Sequence, residues 1–351
     1  MLSATAHASD YRYYQEEFRI PTFGGARGLE AVIVRPGEPG RYPLVLISHG
    51  SARTPDERRQ ITPLRFLPQA REFARRGWAA VAVLRKGYGD SDDTPNYHES
   101  CDRPNHLAVA RVAAHEMRAT IAYLAARQDI DRSKVLAVGH SVGGLFSLAL
   151  AADPPPGLVG VINFAGGRGG RGGGEFCGQD QLVEAMRTFG RDTHVPTLWV
   201  YVDNDRLFPS SIARRWHTAF VGAGGKADFV RVPSFGSDGH DFFGSVLSND
   251  LWTKYVDEFL ARHSLQQRRT LLPSSVPSVP APRELTAGGQ RLFLAYRTAA
   301  PHKALAISTN GKFSWESGRR TIGEAKAAAL ARCAKMAPAC RIAVVDDELA
   351  R

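Results

Sequence analysis

Lys134-Val135-Leu136-Ala137-Val138-Gly139-His140-Ser141-Val142-Gly143-Gly144 passes from an aliphatic run into a glycine-rich turn. It then resumes as the Leu- and Ala-rich segment Leu145 to Ala152. The short aliphatic run reads as a buried strand and the segment after it as a helix, so G-x-S-x-G here spans a strand-to-helix reversal. A turn that tight forces its central residue into strained backbone angles and admits only glycine where the chain crowds itself. Ser141 is thereby raised clear of the sheet. The helix behind it directs its first N–H groups at whatever the hydroxyl attacks.

Outward from this turn, strands alternate with helical patterns. Residues 11–20 and 29–35 read as an antiparallel pair, and Leu44 to Ser48 as a strand buried on both faces. A helix from about Leu64 to Arg76 follows, then strand Ala79 to Leu84 and helix Asn105 to Arg127. Beyond the turn come strand Val159 to Phe164, helix Asp180 to Phe189, strand Thr197 to Val202 and helix Ser211 to Val221. Strand Asp228 to Val232 and helix Leu251 to His263 complete the series. This alternation predicts an α/β fold: a mostly parallel sheet with helices on both faces and function gathered at the carboxyl ends of the strands. It occupies residues 10–264. Four prolines among small residues make 265–287 an extended linker, and 288–351 reads as a small α+β domain. That domain has strands Lys303 to Ser308, Lys312 to Trp315 and Arg341 to Val345, and an Ala-rich helix Gly323 to Met336.

At 351 residues, 43% hydrophobic and 23% charged, the chain is of ordinary globular composition. Its formal charge of +10 comes from scattered arginines, with no zinc, RNP or basic-zipper pattern, so the excess reads as a solvated surface rather than a nucleic-acid footprint. No apolar run reaches the roughly 20 residues of a membrane span. Of the four cysteines, Cys333 and Cys340 lie close enough for one bond. Cys101 and Cys177 sit on connections at one edge of the sheet and form the second expected pair. None has metal-ligand spacing, and no cofactor motif is present: the glycines of 165–174 are not followed by the Lys-Ser/Thr of a phosphate loop. Ala6-His7-Ala8 matches the small-residue rule for signal cleavage. With the paired cysteines it places the protein in the periplasm or outside the cell.

A serine hydroxyl needs a base in hydrogen-bond reach, and the base needs a carboxylate to orient it. For a nucleophile in this turn the acid comes next in the chain and the histidine last. Asp203-Asn204-Asp205 follows strand Thr197 to Val202; Asp205 is the expected acid and Asp203 the alternative. Among 11 histidines, His240 in Gly236-Ser237-Asp238-Gly239-His240 has the right order and loop. His49 is expected beneath the site, and His140 stands too close to the nucleophile to reach its hydroxyl. The backbone N–H groups of Val142 and of Ser51, after Gly50, are the expected oxyanion donors. Tyr88, Phe208, Phe242 and Phe243 are read as an apolar wall. The loop 165–174, too short for a cap, is read as an open and mobile rim whose Arg168 and Arg171 are flexible solvated side chains, with contact to an acyl carboxylate as the alternative.

These motifs, with Ser48-His49-Gly50, Arg85-Lys86-Gly87-Tyr88-Gly89-Asp90-Ser91 and Gly239-His240, resemble the dienelactone-hydrolase-like group of α/β-hydrolases over about residues 12–264. Dienelactone hydrolases proper carry a cysteine nucleophile where this chain has Ser141, so the resemblance implies a serine carboxylesterase for small to medium esters. Residues 302–348 resemble a small cysteine-paired accessory domain of exported bacterial proteins. A prolyl-oligopeptidase-type peptidase shares the turn but carries a large gating domain that this chain has no residues for. A non-catalytic envelope-binding protein has no need of the Ser, Asp, His order.

Overall fold

The computed structural model describes residues 12–52, 54–93, 101, 103–172 and 175–350. Ala6-His7-Ala8 lies outside the described residues, as do Gly173 and Gly174 of the glycine loop. Strands β1 (Tyr13–Ile20) and β2 (Leu29–Pro36) form an antiparallel pair at one edge of the large sheet. They are followed by β3 (Tyr42–Ser48), β4 (Ala79–Val83), β5 (Ile130–His140) and β6 (Leu158–Phe164). A short ribbon of β7 (Gly170–Gly172) and β8 (Glu175–Phe176) precedes β9 (Thr197–Val202) and β10 (Ala227–Val232). The sheet runs β1-β2-β4-β3-β5-β6-β9-β10; only the β1–β2 and β2–β4 pairings are antiparallel.

Period-2 alternation on the central strands separates two cores. Leu44, Leu46, Val135, Ala137, Trp199 and Tyr201 face one way; Val45, Ile47, Leu136, Val138, Leu198 and Val200 face the other. The first face is covered by α3 (His106–Leu124), α4 (Val142–Ala152), α5 (Gln179–Asp192) and α6 (Ser210–Gly222). The second is covered by α2 (Leu67–Arg75) and α7 (Asn249–Arg262), with Phe73, Trp252, Val256 and Phe259 buried against it. Helix α1 (Pro55–Gln60) buries no residue and stands on the β3–α2 connection, capped by Thr54 through its side-chain bond to the Glu57 N–H. Both faces of the sheet are thus sealed, which leaves the carboxyl ends of the strands for the site.

The small domain has an antiparallel sheet of its own, ordered β12-β11-β13-β14 from β11 (Ala304–Ile307), β12 (Phe313–Glu316), β13 (Arg341–Val345) and β14 (Glu348–Leu349). Its two faces show the same alternation. Ala304 and Ala306 pack on α9 (Ile322–Ala334), while Leu305 and Ile307 pack with Phe293 and Tyr296 of α8 (Ala287–Thr298). Helix α8 is absent from the sequence reading because Gly288 and Gly289 lower its propensity. The Thr286 cap on the Gly289 N–H and the burial of Phe293 and Tyr296 outweigh that penalty. The chain from 264 to 286 carries no helix or strand, yet it is seated. Leu272 exchanges hydrogen bonds with the Arg75 backbone and side chain, Pro273 accepts from the Tyr13 hydroxyl at 2.6 Å, and Leu265 and Val279 are buried. Cys101 is bonded to Cys177 and Cys333 to Cys340, with Cα separations of 5.3 and 6.1 Å. No helix among the described residues is long and apolar enough to cross a membrane.

Candidate active site at the carboxyl edge of the sheet

Ser141 occupies the N-cap of α4 with φ 57° and ψ −127°, a conformation rare for any residue but glycine. The turn is locked around it. The Ser141 N–H donates to the Phe164 carbonyl at 2.9 Å, and its own carbonyl accepts from Gly144 at 2.9 Å and Gly167 at 3.2 Å. Side chains are excluded next door. A Cβ on Gly143 would lie 2.2 Å from the Ser48 carbonyl oxygen, and one on Gly144 2.2 Å from Asn163 Oδ1. Gly50 brings the β3 loop against the turn, since a Cβ there would stand 3.0 Å from the Ser141 Cβ. Ser51 and Val142 consequently flank Ser141, and all three line one cavity of about 680 Å³.

His240 also lines that cavity. It sits in a 3₁₀ turn, Gly239–Asp241, capped by Asp238, whose Oδ1 accepts from the His240 N–H at 3.0 Å. Its Nδ1 meets Asp205 Oδ2 at 2.9 Å, while Asp205 Oδ1 accepts from the N–H groups of Leu207 and Phe208, both at 2.8 Å. That carboxylate is buried and fully bonded. The two neighbours of Asp205 do other work. Asp203 accepts from Ser210 Oγ at 2.6 Å and Arg231 Nε at 2.7 Å, closing the strand end against α6. Asn204 holds the histidine loop by bonding the Phe235 N–H at 2.9 Å and accepting, through its carbonyl, the Gly239 N–H at 3.2 Å. A hydroxyl and an imidazole on one cavity, with a buried carboxylate bonded to the imidazole from behind, can relay a proton away from an attacking oxygen.

Two histidines not counted among the site residues shape it. His140 Nε2 donates to the His240 backbone carbonyl at 2.8 Å, and its ring lies 4.9 Å from the His240 ring. Burial and the neighbouring His240 push its pKa down to about 3, so it is a neutral strut between the serine turn and the histidine turn. His49 donates from Nδ1 to the Gly50 carbonyl at 2.6 Å and accepts the Arg85 N–H at Nε2 at 3.0 Å. Burial and then the Arg85 charge hold it well below the usual imidazole range. It packs beneath the site, as expected. The sequence signal for His140 was present in its place between Gly139 and Ser141, but its partner is a backbone carbonyl 100 positions away.

The cavity wall is strongly cationic. Arg58, Arg85, Lys86, Arg168, Arg171 and Arg206 all line it; among the described residues Asp238 is the one carboxylate lining it. Tyr88 and Phe208 line it too, with Phe208 edge-on to His240 at 5.4 Å. Burial raises the Tyr88 phenol, but Arg85, a hydrogen bond with the Ser51 side chain and Arg58 outweigh it and bring the pKa below its ordinary value. Phe242 was expected on this wall and is not there. It is buried in the core with its ring edge-on to Phe235 at 5.3 Å, and Phe243 stacks on Phe164 in the same core. Phe242 stands two positions after His240 where the turn repeats every three, so with His240 facing the cavity it points into the protein. Hydrogen bonds tie the described part of the rim to α3 and to the Cys177 strand end. Arg168 donates to His106 Nδ1 at 3.1 Å, His106 Nε2 donates to the Cys177 carbonyl at 2.9 Å, and the Cys177 N–H bonds the Gly169 carbonyl at 2.8 Å. No group of three or more His, Cys, Asp or Glu side chains able to hold a metal ion occurs among the described residues.

The family model of dienelactone hydrolases matches residues 29–263, which span the large sheet from β2 to β10 and both of its helical layers. The chain belongs to the dienelactone hydrolase family. No curated protein matches it. Among solved structures it is similar to esterase 2 of Thermogutta terrifontis phosphorylated by paraoxon, at 18% identity and TM-score 0.53 over 73% of this chain and 96% of that one. It is also similar to an acetyl xylan esterase of Paenibacillus sp. R4, at 14% identity and TM-score 0.51 over 74% of this chain and 88% of that one. At these identities the likeness is one of fold. As a member of the dienelactone hydrolase family the protein is a hydrolase, with its family fold carried on the large sheet and the small domain outside the matched residues.

Proposed function

We propose that the protein is a serine esterase that hydrolyses small to medium carboxylic esters bearing an acidic group. The observation that carries this reading is the convergence of Ser141, in its strained turn, with the hydrogen-bonded His240–Asp205 pair on one cation-lined cavity. Ser141 Oγ attacks the ester carbonyl carbon while His240 Nε2 takes its proton. The oxyanion is received by the N–H groups of Ser51 and Val142, each donor of this kind contributing roughly 2.7–4 kcal/mol. The carbon–oxygen bond to the alcohol breaks, and His240 returns the proton to the leaving alkoxide. Water then attacks the acyl-enzyme with His240 again as base, releasing the acid and restoring Ser141. Asp205 keeps the imidazole in the tautomer that presents Nε2 to the hydroxyl. Tyr88 and Phe208 supply the apolar part of the pocket.

The cationic wall favours an anionic substrate because one carboxylate faces the guanidinium groups of several arginines across a partly desolvated space. The paired cysteines support export to an oxidising compartment, periplasmic or extracellular. Labelling by a fluorophosphonate probe tests the chemistry. We expect modification of Ser141 in the native protein and none in Ser141→Ala, whose turnover should be below about one part in a thousand of wild type. Unchanged labelling in that variant would refute the assignment. Comparison of ester and peptide substrates separates an esterase from a peptidase of the same fold.

A further inference from the structure

The turn Gly318-Arg319-Arg320, between β12 and α9 of the small domain, reaches the catalytic domain beside the active-site cavity. Arg320 is bidentate on Glu30 of β2, with Nη1 to Oε1 at 2.7 Å and Nη2 to Oε2 at 3.2 Å, and Nη1 lies 3.2 Å from Asp90 Oδ2. Glu30 in turn ties down both ends of the 84–91 loop. Its carbonyl accepts the Leu84 N–H at 2.9 Å, its Oε2 accepts the Asp90 N–H at 2.7 Å, and its own N–H donates to Ser91 Oγ at 3.0 Å. The same turn grips the neighbouring segment. Arg319 donates to Gln60 Oε1 at 2.9 Å, and Thr62 Oγ1 donates to the Gly318 carbonyl at 2.7 Å.

These two segments carry one wall of the cavity: Arg58 on α1, and Arg85, Lys86 and Tyr88 on the loop. They are joined by the Gly89 N–H bond to the Arg58 carbonyl at 2.9 Å and by the Arg58 guanidinium over the Tyr88 ring, 4.7 Å from its centroid. Helix α1 buries no residue of its own, so its position depends on these ties. A lone surface ion pair contributes little. A bidentate guanidinium on a carboxylate that is only 11% exposed, shared with a second acid and flanked by two further hydrogen bonds, belongs to the stronger, geometrically specific class.

We propose that the small domain is a specificity brace: through Arg320 it holds the Arg58 and Arg85–Tyr88 wall where it receives the acidic group of the substrate. Arg320 is a positioning residue, since its contacts run to Glu30 and Asp90 and it is not among the residues lining the cavity. The kinetic side of the inference rests on the proposed esterase reading; the positional side does not.

The test uses the full-length protein as wild type, Arg320→Ala and Arg320→Lys, with an anionic ester (mono-para-nitrophenyl glutarate) and a neutral one (para-nitrophenyl butyrate). Arg320→Ala should raise KM for the anionic ester by about fivefold, leaving kcat and the neutral ester within about twofold. Arg320→Lys, which keeps the charge and loses the bidentate fork, should fall between. Hydrogen exchange should accelerate in peptides covering 55–62 and 85–92 and stay unchanged in β5 and β6. Unaltered exchange there, an unaltered KM for the anionic ester, or equal losses on both esters with loosening throughout the sheet would each overturn the brace. Should Arg320→Ala not fold, Arg320→Lys decides by the same readings. Failure of the esterase reading is seen separately, as absence of wild-type turnover that Ser141→Ala removes, while exchange still reads the brace without any turnover.

Discussion

Asp203 and Asp205 stand two positions apart at the end of β9 and have unlike tasks. Asp205 is buried, bonded to two backbone N–H groups and to His240 Nδ1, whereas Asp203 faces Arg231 and Ser210. Asp205→Asn removes the acceptor that sets the imidazole tautomer and should lower kcat by a factor on the order of 10⁴. Asp203→Asn should leave kcat within about threefold, the scale of a lost surface pair. Steady-state kinetics on one ester rank the two, and the reverse order would reassign the acid. His140 makes a different prediction. Its folded pKa of about 3 lies below the ordinary 6.5, so between those values the unfolded chain binds the extra proton. Stability therefore rises with pH across that window and is lost as pH falls through it, with a slope of at most about 1.4 kcal/mol per pH unit from this group. Urea midpoints measured from pH 4 to 7 should be less steep for His140→Asn than for wild type; equal slopes would show that His140 does not titrate there.

The strand-to-helix turn from β5 to α4 works as one element. Three of its residues are glycine because backbone and the Asn163 side chain occupy the space a Cβ needs, and Ser141 alone carries the strain. In Gly143→Ala the new methyl would press on the Ser48 and His49 carbonyl oxygens, which cannot rotate away. The cost should be about 1–3 kcal/mol of stability, read as a lowered denaturation midpoint. Activity should drop further than stability, because β3 would be pushed off together with Ser51 beyond it, the proposed oxyanion donor. A neutral Gly143→Ala would contradict the packing described. The rim between β6 and α5 is an element of the opposite kind, rich in glycine yet held by Arg168, His106 and the Cys101–Cys177 bond.

At the scale of the molecule, the two disulfides close loops of very different length, with sequence separations of 76 and 7. In the chain-entropy account these contribute about 4.5 and 2.5 kcal/mol respectively by restricting the unfolded chain. Reduction should therefore lower the melting temperature, and a Cys101→Ser, Cys177→Ser pair should lower it more than Cys333→Ser, Cys340→Ser. Melting of each variant by calorimetry measures this, and four titratable thiols in protein made in an oxidising compartment would remove the premise. The brace between domains adds a longer-range link, joining residues some 290 positions apart through Arg320 and Glu30.

The sequence by itself was sufficient for the alternation of strands and helices, for the turn at Ser141, and for the loops that hold Asp205 and His240. Those are local matters: side-chain periodicity, glycine where backbone must approach, and the fixed order in which an open parallel sheet presents its loops. Residue 242 was misplaced because one 3₁₀ turn, invisible in periodicity, decides which neighbour of His240 faces the cavity. Helix α8 escaped because its stability comes from Phe293 and Tyr296 packing on a sheet assembled from residues that follow it. Only the tertiary structure could decide that His140 donates to the His240 carbonyl, that arginines from four separate segments converge on one cavity, and that the small domain touches the loop behind one of its walls. Such contacts leave no pattern along the chain, since each partner's choice depends on how distant elements pack rather than on the residues beside it.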